Sequence, residues 1–333
     1  AWNPYGGYDF YQGLGSCPAD VYPLCSRARI VSFDRPYAAE DGSGNFLTLE
    51  YPLVRFAEQH GLDVTYVTDI TVEQHPGIVL KHKVLLSLGH DECWSLTERK
   101  AAIAAQNHGV NIIFFAASPI LRHVRPASSP LGPDREEIDY RDPSEDPLNG
   151  KGNPLEVTAN TWGDPPTNWI ESGFVGEMYS GFLEPGLTTS LVVSDASSWV
   201  FSATGLHNGE RIHGVIGSDV DQFQSGVPYP SDDQILSQSP VSPRLGQSSV
   251  SPFYSDMSYY TDPKSHAGVL DTGTNNWIPA LIHDKDGCRH YSGPHCAATL
   301  LQRITGNILL AFGQGPSGVA HPSVANWRQV TGQ

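Results

Sequence analysis

The chain has 333 residues, of which 39% are hydrophobic and 17% charged, a composition that excludes a disordered protein and leaves room for a sizeable core. A net charge of −16 argues against binding to nucleic acid or to anionic membrane surfaces. No apolar run approaches the roughly 20 residues of a membrane span.

Taken in order, residues 1–27 form an aromatic, Gly-rich extension with Trp2, Tyr5, Tyr8, Phe10 and Tyr11. Such residues suit a sugar-binding face or the padding of a sheet edge. The chain starts at Ala1 without Met, which fits a processed or trimmed N-terminus. Cys17 and Cys25 share a Pro-rich loop, and Cys288 and Cys296 flank GCRHYSGPHC. Two short-range pairs and one odd thiol predict two disulfides and a free Cys93, hence a secreted protein. Zinc held by Cys288, His290, His295 and Cys296 is the competing reading of the late cluster.

Strands are expected at 29–33, 64–67, 84–88 and 110–115. Between them, residues 47–60 carry Leu49, Leu53, Val54, Phe56 and Ala57 at helical spacing, with Pro52 in the first turn and Gly61 as the stop. A second helix is predicted from Ser95, whose Ser95-Leu96-Thr97-Glu98 is a capping box, to about Asn107. This alternation calls for an α/β fold of one domain with a doubly wound, mostly parallel sheet. Residues 126–168 and 222–252 read as long surface loops. Later strands are expected at 190–193, 198–203, 212–217 and 267–270, and helices near 274–282 and from 297 to 312.

The stretch Val84 to Ser95, VLLSLGHDECWS, holds the densest chemistry. An apolar strand ends at Gly89, and His90, Asp91, Glu92 and Cys93 follow at once. The carboxyl end of a strand is where open α/β sheets place ligands. A polar turn with an inert buried Cys is the bland reading. Asp219 and Asp221 follow a predicted strand and suit the rim of the same cleft.

Several segments carry a resemblance in the right order. They are VSFDRPY (31–37), EYPLVRFAEQHGLDVTYVTD (50–69), LLSLGHDECWS (85–95), WGDPP (162–166), DMSYYT (256–261), GVLDTGTNNW (268–277) and ITGNILLAFGQGPSG (304–318). Together they resemble the C-terminal domain of the N,N-dimethylformamidase large-subunit family, across nearly the whole chain. The resemblance implies a fold like the class I glutamine amidotransferases. It also implies one iron ion, held by two tyrosines and a glutamate, that hydrolyses an amide C–N bond. The first tyrosine looks like Tyr51. Where the family has HDEYW or HPEYW, this chain has Cys93, so the departure falls on a ligand position. Glu177 in VGEMY and Glu156 in NPLEVTANTW are the candidates for the glutamate. The amidotransferase nucleophile has no counterpart, because IIFFAAS ends in Ala116-Ala117-Ser118 without a thiol.

Phenolate, thiolate and carboxylate suit a divalent or trivalent ion, and the thiolate tilts the choice from ferric iron towards zinc or ferrous iron. His90 serves as a fourth ligand or a general base, with Asp91 or Glu92 orienting its ring. Direct attack by Cys93, with His90 as base, is a further chemistry. The expectation is a secreted, metal-dependent hydrolase acting on an amide or related C–N bond of a small-molecule substrate, as a homo-oligomer or with a further subunit. The alternative is a non-catalytic extracellular binding or assembly protein using its aromatic loops.

Overall fold

The computed structural model describes residues 8–11, 27–35, 43–282 and 297–333. In chain order the strands are β1 (Ile30–Ser32), β2 (Val84–Gly89), β3 (Cys93–Trp94), β4 (Asn111–Ala116), β5 (Arg122–His123), β6 (Arg125–Ser129), β7 (Gly132–Ile138), β8 (Met178–Leu183), β9 (Thr188–Val192), β10 (Arg211–Gly217), β11 (Asp219–Gln222), β12 (Gln234–Pro240), β13 (Gly246–Ser248), β14 (Tyr254–Thr261) and β15 (Gly268–Asp271).

The fold is mixed α/β and built around a five-stranded sheet of order β12-β14-β15-β4-β2. Within it β2, β4 and β15 run parallel, Val84 facing Asn111 and Val269 facing Ile112. β14 and β12 add on in antiparallel sense. β4 is buried along its whole length, as a strand covered on both faces must be. Ile113 and Phe115 face a core completed by Trp277, Tyr259 and the helix Ala297–Phe312. Ile112 and Phe114 face the opposite core, with Trp162 and the helix Leu96–Asn107. That helix starts as expected: Ser95 Oγ accepts the Glu98 N–H at 3.1 Å, and Glu98 takes the Ser95 N–H at 2.7 Å.

Asn111 locks the two sides together. Its Nδ2 donates to the carbonyls of Phe312 and Gly315, and its Oδ1 accepts from Gly268 and Ser317 N–H, all between 2.6 and 3.0 Å.

The doubly wound parallel sheet is not what the chain builds, because most of its pairings are antiparallel. Of the four strands expected in one sheet, only 84–88 and 110–115 lie together there. Residues 64–67 form no strand, and run instead to Thr68, the N-cap of a helix over Asp69–Gln74. β2 is therefore an edge, and a cleft of about 860 Å³ separates it from Val64–Val67. β1 joins an antiparallel sheet of order β1-β7-β6. The connections account for part of this: the 84–116 stretch carries a crossover helix and its strands run parallel, whereas the short turns between β6 and β7 and between β14 and β15 require antiparallel pairing.

Other corrections follow. Residues 126–168 include the hairpin of β6 and β7, and 222–252 include β12 and β13. Residues 198–203 make a helical turn over Trp199–Phe201 and not a strand. The expected helix at 274–282 shrinks to Trp277–Ala280. The proposed disulfides Cys17–Cys25 and Cys288–Cys296 lie outside the described residues, as do Trp2, Tyr5, His290 and His295. Cys93 is a free thiol. Among the described residues no helix is long and apolar enough to cross a membrane.

Candidate functional site

The site grows from the end of β2. Gly89 adopts φ +66°, and a Cβ there would lie 2.7 Å from Leu49 Cβ, so only glycine lets the strand turn so close to its neighbour. The turn then sorts the four polar residues. Asp91 folds back onto its own strand, accepting from Ser87 Oγ at 2.6 Å, while its carbonyl takes the Trp94 indole N–H at 3.1 Å. Burial and the nearby Asp69 push its carboxyl up to about 7. Glu92 turns inward and is buried.

Two other elements complete the centre. β3 pairs parallel with β5, which brings Arg122 beside Glu92. The Arg122 N–H donates to the Glu92 carbonyl at 2.7 Å, and its Nε stands 3.7 Å from Glu92 Oε1. β11 opens with Asp219, after Ser218 in the left-handed region. Ser118 Oγ and Asn275 Nδ2 each approach Asp219 Oδ2 at 3.4 Å. His90 Nε2 then lies 3.5 Å from Glu92 Oε2 and 3.7 Å from Asp219 Oδ2. One ligand atom from each of His90, Glu92 and Asp219 falls within 4.8 Å of the others, which is the span of a shared metal ion.

The electrostatics follow from packing. Burial lowers the His90 pKa and so favours the neutral ring that a metal or a proton needs. Burial raises Glu92 and Asp219, with Arg122 opposing the shift in both. Tyr179 on β8 is held as a neutral phenol, chiefly by burial and then by the charge of Asp219. The backbone at the end of β4 is already engaged: Ala117 N–H donates to Asn275 Oδ1 at 2.7 Å, and Ser118 N–H to both oxygens of Asp221 at 2.8 and 2.9 Å.

Residues 1–290 match the family described as N,N-dimethylformamidase beta subunit-like, C-terminal. The chain belongs to that family. The resemblance read from the sequence is thereby borne out. No curated protein matches the chain.

Within this dimethylformamidase-like domain, the residues singled out from the sequence have separate surroundings. His90 and Glu92 come together, and Asp219 from the cleft rim joins them. Tyr51 opens the helix Tyr51–Gln59, is 44% exposed, and sits against the Phe46 ring at 6.0 Å. Cys93 is half-buried, and its thiol pairs with the Glu137 carboxyl. Burial raises the Cys93 pKa well above its usual value, which opposes a role as thiolate nucleophile or ligand. Glu177 is fully buried among Asp256, Asp221 and Asp233. Glu156 ends a turn over Pro154–Glu156, where its carbonyl accepts from Arg125 Nη1. Arg122 and Tyr179 are the site residues that the sequence did not flag. Arg122 arrives on a strand of two residues, too short to leave a pattern.

Next to Arg122, His123 is buried and stacks on Trp162 at 3.7 Å between ring centroids. Burial lowers its pKa to about 3, against about 6.5 in an unfolded chain. As pH falls below 6.5, the unfolded chain takes up a proton that the folded one refuses. Stability should therefore drop by about 1.4 kcal/mol per pH unit over this window from His123 alone. Denaturant melts at pH 5.5 and 4.5 check this. The His123→Phe variant should show the shallower loss, and equal slopes in both proteins would refute it.

Proposed function

We propose that this domain hydrolyses an amide C–N bond at His90, Glu92 and Asp219, with a metal ion held by these three. The observation that carries the reading is the convergence of His90 Nε2, Glu92 and Asp219 at the carboxyl end of β2. One imidazole nitrogen and two carboxylates suit ferrous iron or zinc. Such an ion, when bound, polarises a carbonyl and acidifies water. The chain's own groups do the rest. Neutral His90 presents a lone pair at Nε2. Arg122 balances the charge of Glu92 from the inner side. Tyr179, protonated and close to Asp219, offers an O–H donor to an oxygen that gains charge. The Ala117 and Ser118 N–H groups are already bonded to side chains, so that donor has to come from a side chain.

Family membership supports an amide as substrate. Its description as a subunit supports a further chain in the working enzyme. The test is release of dimethylamine from N,N-dimethylformamide and of amine from a panel of small amides. The reading predicts turnover that chelation removes and added iron or zinc restores. Absence of hydrolysis in metal-loaded protein would sink it.

A further inference from the structure

The open edge of the central sheet faces a cleft that leads to His90. Among the described residues, β2 pairs with β4 and with no other strand. Asn111 N–H donates to the Lys83 carbonyl at 2.9 Å. A parallel ladder turns alternate residues towards the neighbour, so the backbone N–H and C=O groups of Val84, Leu86 and Leu88 point away from β4. All three residues line the cleft of about 860 Å³. Residues 64–67 form its other wall, outside any helix or strand, and their Val, Thr and Tyr side chains suit extended backbone.

The rest of the lining is apolar. Leu53 and Val54 come from the helix Tyr51–Gln59. Phe46, Tyr66, Val67 and Leu310 line the cleft too, and each is between 42% and 58% exposed. Apolar side chains left open together mark a binding site. A hydrocarbon ligand would cover them but would leave the N–H and C=O groups of the strand edge unpaired. An extended peptide satisfies both, its backbone bonding the edge and its side chains entering the apolar walls.

Charge fixes the direction. Lys81 and Lys83 line the cleft where β2 begins. Glu50, Asp69 and Asp91 line it near His90, the first two acting on the Asp91 carboxyl. A peptide lying antiparallel to β2 puts its carboxylate by the lysines and its ammonium by the acids. From Lys83 to His90 the strand runs about 23 Å, room for an extended peptide of about six or seven residues.

We infer that the cleft binds short apolar peptides along the free edge of β2, and that the bond cut is the peptide bond nearest their amino end. This rests on the reading of His90, Glu92 and Asp219 as a hydrolytic centre. His90 joins the two places: it lines the cleft, and it belongs to the group with Glu92 and Asp219. Hydrolysis joins the oxygen of water to the peptide carbonyl carbon and breaks the C–N bond. The shortened peptide leaves with a proton on its new amino nitrogen.

The experiment uses the full chain and a hexapeptide of alternating valine and threonine, with its N-acetylated and C-amidated forms and the matching dipeptide. Metal-loaded protein is assayed for released amino acid, and calorimetry on metal-free protein reads binding. The hexapeptide should be cut with a KM at least about tenfold below that of the dipeptide, and blocking either end should weaken its binding by a similar factor. Lys81→Glu combined with Lys83→Glu should reverse the preference for the free carboxylate over the amidated end. Both lysines are exposed, so the variant keeps the fold. Absence of hexapeptide binding overturns the inference, whereas turnover of small amides alone decides the hydrolase reading. Binding without turnover of any amide sinks the hydrolase reading and peptide cleavage with it, and makes the cleft a docking site for a strand. An unchanged preference in the lysine variant also overturns the inference.

Discussion

Glu92→Gln should lower the rate of amide hydrolysis by about 10²–10⁴-fold, the range expected when a positioned acid-base or ligand group is lost. Glutamine has the shape of glutamate, so the packing of β3 against β5 survives. What disappears is the charge that faces His90 Nε2 at 3.5 Å and Arg122 Nε at 3.7 Å. The amide cannot replace it as a ligand, and its NH2 faces either the Arg122 guanidinium or the ion. Bound iron or zinc should fall with activity, read by elemental analysis after gel filtration. Stability should barely move, because Glu92 is buried with its pKa raised by that burial, so its charge adds little to the fold. A variant that keeps its metal and turns over within threefold of wild type would remove Glu92 from the centre.

The half of the site that the sequence revealed is the half that one segment builds. His90 and Glu92 stand at the end of an apolar run, before a capping box, and both signals are local. Asp219 is legible only as a rim residue after a predicted strand, while Arg122 and Tyr179 come from strands whose partners are distant in the chain, and no spacing rule records how the three meet. The same holds for the fold. β4 reads as a buried strand because IIFFA, which follows Asn111, is apolar throughout. β12 is hidden in QILSQSP, which looks like loop sequence. Its Ser239 is nevertheless buried, with Oγ accepting the Val192 N–H at 3.0 Å. Val64–Val67 shows the reverse error: β-branched and aromatic residues with strand propensity, but no partner along the β2 edge.

The motif WGDPP also acquires a physical role, and it sets up the largest stability effect expected. Trp162 is fully buried, with His123 on one ring face and Arg99 near it at 4.8 Å. Arg99 lies 4.1 Å from the centre of the Trp169 ring as well. Its Nη1 and Nη2 donate to the carbonyls of Trp169 and Ile170 at 2.7 and 3.0 Å. It comes from the helix Leu96–Asn107 and is itself fully buried, so burial lowers its pKa to about 10, where it remains charged. Nearby Glu171, raised to about 7 by its own burial, gains from that charge. Arg99→Ala would leave two carbonyls unpaired, open a gap between two indoles and strip Glu171 of its cation. The expected cost is about 3–5 kcal/mol, typical of removing one partner from a buried charged arrangement. Arg99→Lys should recover only part of it, since a single ammonium lacks the planar fork with which the guanidinium bonds both carbonyls beside the rings. Urea unfolding followed by tryptophan fluorescence reads both variants. An Arg99→Ala protein within about 1 kcal/mol of wild type would mean that the loop is held by its apolar contacts alone. A large loss should also reach the site, because Trp162 supports His123, and β5 carries Arg122 from there to Glu92.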